Sequence, residues 1–169
     1  IIQATTLPHF QLKHRKFVKP FLVHALEEEG HYNLCINDLK KIGYPTETLC
    51  ETNPLPATEG YLGFIFNRIT HINPIAYLGY LYNLESLAIT IGPQAISMIM
   101  ASTGLRETQY YSFLRVHAVE DTQHVQELND LLQFVEPSER QEVIYTAGTA
   151  ARLYSLMMDH SFQNPWMKP

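Results

Sequence analysis

Apolar side chains recur every three or four residues along most of this chain, which is the spacing of one buried helix face. Glycines and prolines interrupt the pattern, and a proline-rich stretch over 44–58 indicates a loop. No convincing strand pattern competes with it. The spacing predicts a single all-α domain over 1–169, with helices at about 9–42 (broken or kinked near Pro20), 59–71, 74–92, 94–102, 106–133 and 137–160.

Two of these helices also indicate how they pack. In the last helix, the small residues Ala147, Ala150 and Ala151 favour a close approach to a neighbouring helix. The overall expectation is a bundle of about five to six helices. The helix over 74–92 carries its predicted buried face at Ala76, Leu78, Leu81, Leu84 and Leu87.

Composition and charge exclude several classes of function. The chain has 12 basic and 17 acidic residues and a net charge of −5, which argues against a nucleic-acid-binding protein. Only two cysteines, Cys35 and Cys50, are present, so no disulfide framework is expected and a cytoplasmic location is the simplest interpretation. No long uncharged apolar run suggests a membrane span.

The candidate chemistry lies in two matched spacings. Because a helix turns about 100° per residue, positions i, i+4 and i+7 project from one stripe. His24, Glu28 and His31 have this spacing, and it is repeated by His117, Asp121 and His124.

Glu85 adds a third carboxylate, inside an otherwise apolar helical stretch. A buried carboxylate is costly unless a cation or a hydrogen bond compensates its charge. Mixed carboxylate and imidazole ligation suits iron or manganese, although about one such acid–histidine spacing is expected by chance. The alternatives are a helix face where histidines only bond to carboxylates, or a pair between Glu85 and Arg68 or Arg115.

Three segments around these residues resemble one family, in matching order and separation. They are 24–31 with 37–43, 77–85, and 113–125. They are similar to the heme-oxygenase-like iron-containing redox proteins, a family that includes CADD-like members and is related in fold to TenA, PqqC and heme oxygenase. The resemblance covers roughly 15–160. The family usually has a further N-terminal helix, which we expect this chain to lack.

The resemblance implies a heme-oxygenase-like bundle with a non-heme di-iron site that activates dioxygen to oxidise a small organic substrate. In CADD-like members a glutamate stands where this chain has His24, whereas other members have one at the position of Glu28, so either is a candidate ligand. The remaining implied ligands fall on His31, Glu85, His117, Asp121 and His124.

Under this hypothesis, His31 with Glu28 or His24 holds one iron, and Glu85 bridges to the second. The second iron is then held mainly by His117, Asp121 and His124, and manganese is the alternative metal. The substrate pocket is expected among the aromatic residues Phe64, Phe66, Tyr77, Tyr80 and Tyr82, for which plain core packing is the simpler interpretation.

Three other functions remain open. A metal-independent enzyme of the TenA type would use Cys35 as its nucleophile, although a buried structural thiol is the commoner role. A heme-binding protein would use one histidine as axial ligand, and a non-catalytic helical interaction protein would need no metal. A homodimer is expected, because many such bundles dimerise through an apolar helix face. The histidines outside the two matched spacings are expected at the surface or in loops: His9, His14, His71 and His160.

Overall fold

The computed structural model describes residues 9–47, 49 and 53–163, apart from the side chains of 119–121 and 162. Within that part of the chain all regular structure is helical, which confirms the predicted all-α class. The α-helices are α1 (Arg15–Glu27), α2 (His31–Lys41), α3 (Pro56–Asn67), α4 (Ala76–Thr103), α5 (Ser112–Leu132) and α6 (Arg140–Gln163). Shorter helical turns precede α1 and α5 at Leu12–His14 and Thr108–Tyr111, and a π-helical turn, Arg68–Ile72, follows α3.

The first predicted helix is in fact two helices, and the break is not at the proline. Pro20 lies inside α1 without ending it. The chain turns instead over Glu28 to Gly30, where Gly30 has a φ of 89°, in the left-handed region that favours glycine. Glu28 is therefore the last residue of α1's cap and His31 the first residue of α2. The single stripe assumed for the first matched spacing does not exist as one continuous helix.

The predicted interruption at Gly92 and Pro93 is wrong, because α4 runs without a break from Ala76 to Thr103. Gly92 is buried, and a Cβ placed there would lie 3.3 Å from the Cβ of Ala118 on α5. Pro93 is on the exposed side of the helix, where water can bond to the backbone group that the ring leaves without a partner. The helix thus continues through Gly92 and Pro93, where α5 packs against it, although the glycine–proline pair by itself favours a helix end.

In the described part of the chain, α4 is the one helix long and apolar enough to cross a bilayer by length and composition. Core helices of other proteins pass the same test, so this is weak evidence for a span. Here α4 packs against both α5 and α6, and it carries Glu85 between two buried histidines. These contacts cover the first half of α4 and one side of its second half, and only 6% of its apolar stretch is buried.

The core lies where α4 meets α3, α6 and the first half of α1. Tyr77 of α4 packs edge-on against Phe21 of α1, with the ring centroids 4.8 Å apart. Gly79 allows the closest helix approach, because a Cβ there would overlap the carbonyl oxygen of Val143 on α6 and lie 3.1 Å from the amide nitrogen of Ala147. The predicted close approach of the last helix is confirmed.

The predicted buried face of α4 is confirmed in its first half only. Ala76, Leu78 and Leu81 are buried, whereas Leu84 and Leu87 are half-buried. The second half of α4 packs mainly against α5, so its other sides remain accessible.

His14 was predicted to lie at the surface or in a loop. It is instead buried, with an exposed fraction of 1%. The amide N–H of Gln11 donates to its Nδ1, so the proton of the neutral ring is on Nε2, which lies 3.0 Å from the carboxylate of Glu139. Lys13 and Asn73 donate to the same carboxylate. This cluster attaches the start of α1 to the segment that precedes α6.

Candidate metal centre

Four helices bring together six of the seven residues predicted as ligands. The end of α1 and its cap, the start of α2, the middle of α4 and two turns of α5 meet at one level of the bundle. Asp121 is on α5 between two of them, but its side chain lies outside the described residues, and its role stays a prediction. The six are His24, Glu28, His31, Glu85, His117 and His124.

The inner group, defined as His24, Glu28, Glu85 and His124, is largely buried. Glu85 lies between two imidazoles: its Oε1 is 3.0 Å from Nε2 of His24, and its Oε2 is 3.2 Å from Nδ1 of His124. The exposed fractions of His24, Glu85 and His124 are 7%, 5% and 7%. The two histidine ring centroids are 4.7 Å apart. The predicted buried position of Glu85 is thereby compensated by hydrogen bonds from two histidines.

The outer group, defined as Glu28, His31 and His117, is closer to solvent. Oε2 of Glu28 is 3.1 Å from Nδ1 of His31 and 3.4 Å from Nε2 of His117. The side chains of His31, Glu28 and His117 are 20%, 21% and 17% exposed. The two ring centroids are 5.0 Å apart, nearly perpendicular to each other.

Glu28 belongs to both groups. In each group one donor atom per residue lies within 4.8 Å of all the others. The Oε2 of Glu28 faces the outer histidines, whereas its Oε1 is buried and has no hydrogen-bond partner among the described residues. A buried oxygen without a partner is costly in a folded protein, and a bound cation would compensate it.

Neighbouring charges and hydrogen bonds shift the pKa values of two residues of the site, Glu28 and His24. Burial alone would raise the pKa of Glu28, but the hydrogen bond from His117 and the charges of His117, His31 and His24 lower it to about 2. Burial would lower the pKa of His24, and its hydrogen bond to Glu85 and the nearby carboxylates outweigh that effect and raise it. Both shifts favour a protonated His24 near an ionised Glu28, and a bound metal ion would replace that proton.

The ring of His117 is held in a fixed orientation. Its Nδ1 lies 2.8 Å from the carbonyl oxygen of Phe113, which can only accept, so Nδ1 carries a proton. Its Nε2 consequently faces Glu28 and His31. Hydrogen bonding of the outer ring nitrogen to a carbonyl is the usual way in which proteins orient a metal-binding histidine.

The donor set fits a first-row transition metal ion. Donors that each lie about 2.1 Å from such an ion are about 3.0 to 3.4 Å apart at octahedral to tetrahedral angles. The four hydrogen-bonded nitrogen–oxygen pairs around Glu85 and Glu28 are 3.0 to 3.4 Å apart, and all donor atoms of each group lie within 4.8 Å of one another. Imidazole with carboxylate, and no thiolate within either group, suits iron or manganese better than calcium or structural zinc.

The grouping differs from the expected one in two respects. His24 and Glu28 are not alternatives, since both lie in the inner group. The carboxylate common to both groups is Glu28 rather than Glu85, and His117 and His124 fall in different groups. The reason is the turn at Gly30, which directs Glu28 between the helices.

Glu85 does not pair with an arginine, which was the other interpretation of its position. Arg68 instead forms an ion pair with Glu142 on α6, through two nitrogens, and lies over the ring of Tyr145. Arg115 is exposed on α5.

Sequence reasoning missed Glu27, whose carboxylate lies 3.5 Å from Nε2 of His124. It is the half-exposed neighbour of Glu28 and belongs to a run of three glutamates at the end of α1. The run of glutamates was the available signal, because negative charge at a helix C-terminus is unfavourable for the helix dipole.

A family model described as iron-containing redox enzyme matches residues 3–155. This chain belongs to the iron-containing redox enzyme family. The predicted family resemblance is confirmed, and the family is described as one of iron-containing redox enzymes. No curated protein matches the sequence significantly.

A solved structure supports the fold independently. It is the crystal structure of a domain of unknown function with a heme oxygenase-like fold from Shewanella denitrificans, 26% identical in sequence, with a TM-score of 0.87. The match covers 96% of this chain and 70% of that one. The chain therefore has the heme oxygenase-like fold, and its relative includes further residues that have no counterpart in 1–169.

The thiol proposed as an alternative nucleophile is poorly suited to that role. Cys35 is exposed on α2, against the expectation of a buried structural thiol. Partial desolvation of the sulfur and the charge of Asp38 raise the pKa of Cys35. A nucleophilic cysteine needs the opposite shift.

The aromatic residues suggested as a pocket are mainly core. Tyr77 is fully buried, and Phe64, Tyr80 and Tyr82 pack against the buried cluster around it. Tyr61 lies beside Tyr80, with ring centroids 6.1 Å apart. Burial raises the pKa of Tyr80 to about 12, and the negative charge of Glu85 acts in the same direction.

Proposed function

We propose that this protein holds two non-heme iron ions, one in the inner group and one in the outer group, with Glu28 between them. The protein would use them to activate dioxygen and oxidise a small organic substrate. The family supports iron and a redox function, and the donor distances and residue types support a pair of sites. Manganese is the alternative metal.

The shared carboxylate is the observation that carries the proposal. Glu28 has a buried Oε1 without a partner among the described residues and an Oε2 between two imidazoles. Two separate hydrogen-bonded pairs of histidine and carboxylate would not require one carboxylate to lie in both groups. A carboxylate placed between two cations would be satisfied at both oxygens.

The side chains of the site would have different roles in metal binding, charge compensation and the exclusion of water. Bound reduced iron supplies the electrons for dioxygen chemistry. Glu85 and Glu28 provide the negative charge that offsets the metal ions, and four imidazoles complete the two donor sets. The burial of His24, Glu85 and His124 keeps water from the inner group, while the partly exposed outer group leaves an approach for a substrate.

The direct test is anaerobic loading with ferrous iron followed by a metal count per chain, on wild type and on two neighbouring glutamate variants. We expect about two irons in wild type and about one or fewer in Glu28→Gln, because the variant loses the shared charge. Glu29→Gln is the matched control, since Glu29 is exposed in the same turn and belongs to neither group.

Less than one iron per wild-type chain, with no difference between the two variants, would overturn the di-iron proposal. Adding manganese in competition identifies the preferred metal. Thiol labelling at neutral pH addresses the TenA-type alternative: the proposal expects Cys35 to react no faster than an ordinary exposed thiol, with no loss of iron on modification.

A heme protein is less consistent with the geometry. A heme-ligating imidazole needs an open planar space beside its nitrogen, whereas every histidine of the two groups has a carboxylate there and another histidine ring at 4.7 or 5.0 Å. Failure of added heme to change its Soret absorption is the expected result. The expected homodimer stays a prediction, which light scattering of the purified protein tests.

A further inference from the structure

Asp38 joins α2 to the first turn of α5, the helix that carries His117. Its Oδ2 accepts the amide N–H of Phe113 at 2.9 Å, and its Oδ1 accepts the hydroxyl of Ser112. The first amides of any helix have no acceptor within the helix. In α5 no side chain of its own N-terminus caps them, and no acidic residue lies in its first turn. Asp38, from a different helix, supplies the cap and the favourable negative charge.

The same contact continues into the outer group through Phe113. The amide of Phe113 donates to Asp38, and its carbonyl oxygen accepts from Nδ1 of His117 at 2.8 Å. The ring of Phe113 also lies against the His117 ring, with centroids 4.4 Å apart. One residue thus links the cap to the orientation of a candidate ligand.

Asp38 and His31 lie on the same short helix, about two turns apart. The contact of Asp38 with α5 therefore fixes how far α5 is displaced along α2, and with it the separation of His31 from His117. Lys41 strengthens the junction, because its Nζ donates to the carbonyl of Gln109 at 2.7 Å and lies 3.5 Å from Oδ1 of Asp38.

We propose that Asp38 is a positioning residue for the outer group: it aligns α2 with α5 so that His31, His117 and Glu28 share one metal ion. This inference rests on the proposed metal sites. The inner group takes its donors from α1, α4 and a later turn of α5, so it depends less on this junction. Loss of Asp38 should therefore affect one metal position and spare the other.

The test compares Asp38→Asn with Asp130→Asn, which removes the same charge from an exposed position later in α5. Cobalt(II) binding is followed by anaerobic equilibrium dialysis and absorption spectroscopy. We expect one of two binding steps to weaken about 10- to 100-fold in Asp38→Asn, the usual cost of removing a group that orients a ligand. The other step, and both steps in Asp130→Asn, should match wild type.

A second measurement needs no metal. Nitrogen-15 NMR of the histidine rings reports which nitrogen is protonated, and His117 is expected to carry a proton on Nδ1 in wild type. In Asp38→Asn, we expect a mixture of protonation states at His117 and no change at His24. If Asp38→Asn does not fold by circular dichroism, Ser112→Ala, which removes one of the two hydrogen bonds, decides the question with a smaller change in the same direction.

Unchanged cobalt binding together with an unchanged His117 spectrum would overturn the role of Asp38. Equal weakening of both binding steps would also overturn it, because that result shows a general loss of structure. If wild type binds no metal, the proposed function fails, and the His117 spectrum still tests whether Asp38 orients this ring.

Discussion

Glu28 shows how much of the site depends on one residue in a turn. It lies between the end of α1 and Gly30, where the chain leaves the helix. In a straight helix its carboxylate would lie in line with His24 and His31. In the turn it reaches His31 and His117 on one side and belongs with Glu85 on the other.

The buried carboxylate of Glu139 leads to a prediction about stability and pH. Burial would raise its pKa, but hydrogen bonds from Lys13, Asn73 and His14 lower it below the ordinary value of 4.5. A carboxylate with a lowered pKa in the folded state stabilises the protein above its unfolded pKa, and this contribution is lost as the pH falls through the folded value.

We therefore expect Glu139→Gln to reduce the free energy of unfolding at neutral pH by about 1 to 3 kcal/mol. The difference from wild type should shrink once the pH falls below about 4.5. Urea denaturation at a series of pH values measures it, with Glu136→Gln as the control because Glu136 is exposed. A difference that is constant with pH would show that the charge of Glu139 is not involved.

Residue spacing predicted most of the candidate ligands but not their grouping. His24, His31, His117 and His124 do come together in the bundle, although His24 and His31 lie on two helices and not on one stripe. The sequence could not show that Glu28 is in a turn, since that depends on Gly30 adopting a left-handed conformation. Nor could it show that His14 is buried, because its partner Glu139 is distant in the chain.

At the scale of helices, α4 and α6 pack so closely at Gly79 that the contact leaves no room for a side chain. Gly79 faces the backbone of Val143 and Ala147, so no side chain can be added there without moving one helix. Glu85 is on the same helix, less than two turns further along. A displacement of α4 would therefore also move a candidate ligand.

We predict that Gly79→Ala lowers the free energy of unfolding by about 1 to 3 kcal/mol, although alanine favours helices by about 1 kcal/mol. Gly148→Ala on α6 is the control, because nothing lies within 4 Å of a Cβ placed there. That variant should be neutral or slightly stabilising. Thermal unfolding of both variants measures the difference, and equal stability of the two would contradict the close contact.

Helix existence was predictable, but the helix ends were decided by packing. Proline at 20 did not end α1, and the pair Gly92–Pro93 did not end α4. In α4 the helix continues through the proline at a point where Gly92 lies close to Ala118 of α5. Such contacts join residues far apart in sequence, so local signals alone could not reveal them.

At the scale of the whole molecule, the bundle places ligands from helices that are distant in sequence at one level. The all-α class followed from periodicity, and the heme oxygenase-like fold followed from the family resemblance, which the family match and the solved relative confirm. Which helix faces meet could not be derived from the sequence. Only the packed bundle shows that the donors form two groups joined at Glu28.

The most direct test of this account is anomalous X-ray diffraction at the iron edge, on crystals grown from protein loaded anaerobically with ferrous iron. We predict two anomalous peaks, one among His24, Glu85 and His124 and one between His31 and His117, with the carboxylate of Glu28 between them. No peak at these residues, or a single peak that does not contact Glu28, would contradict the account.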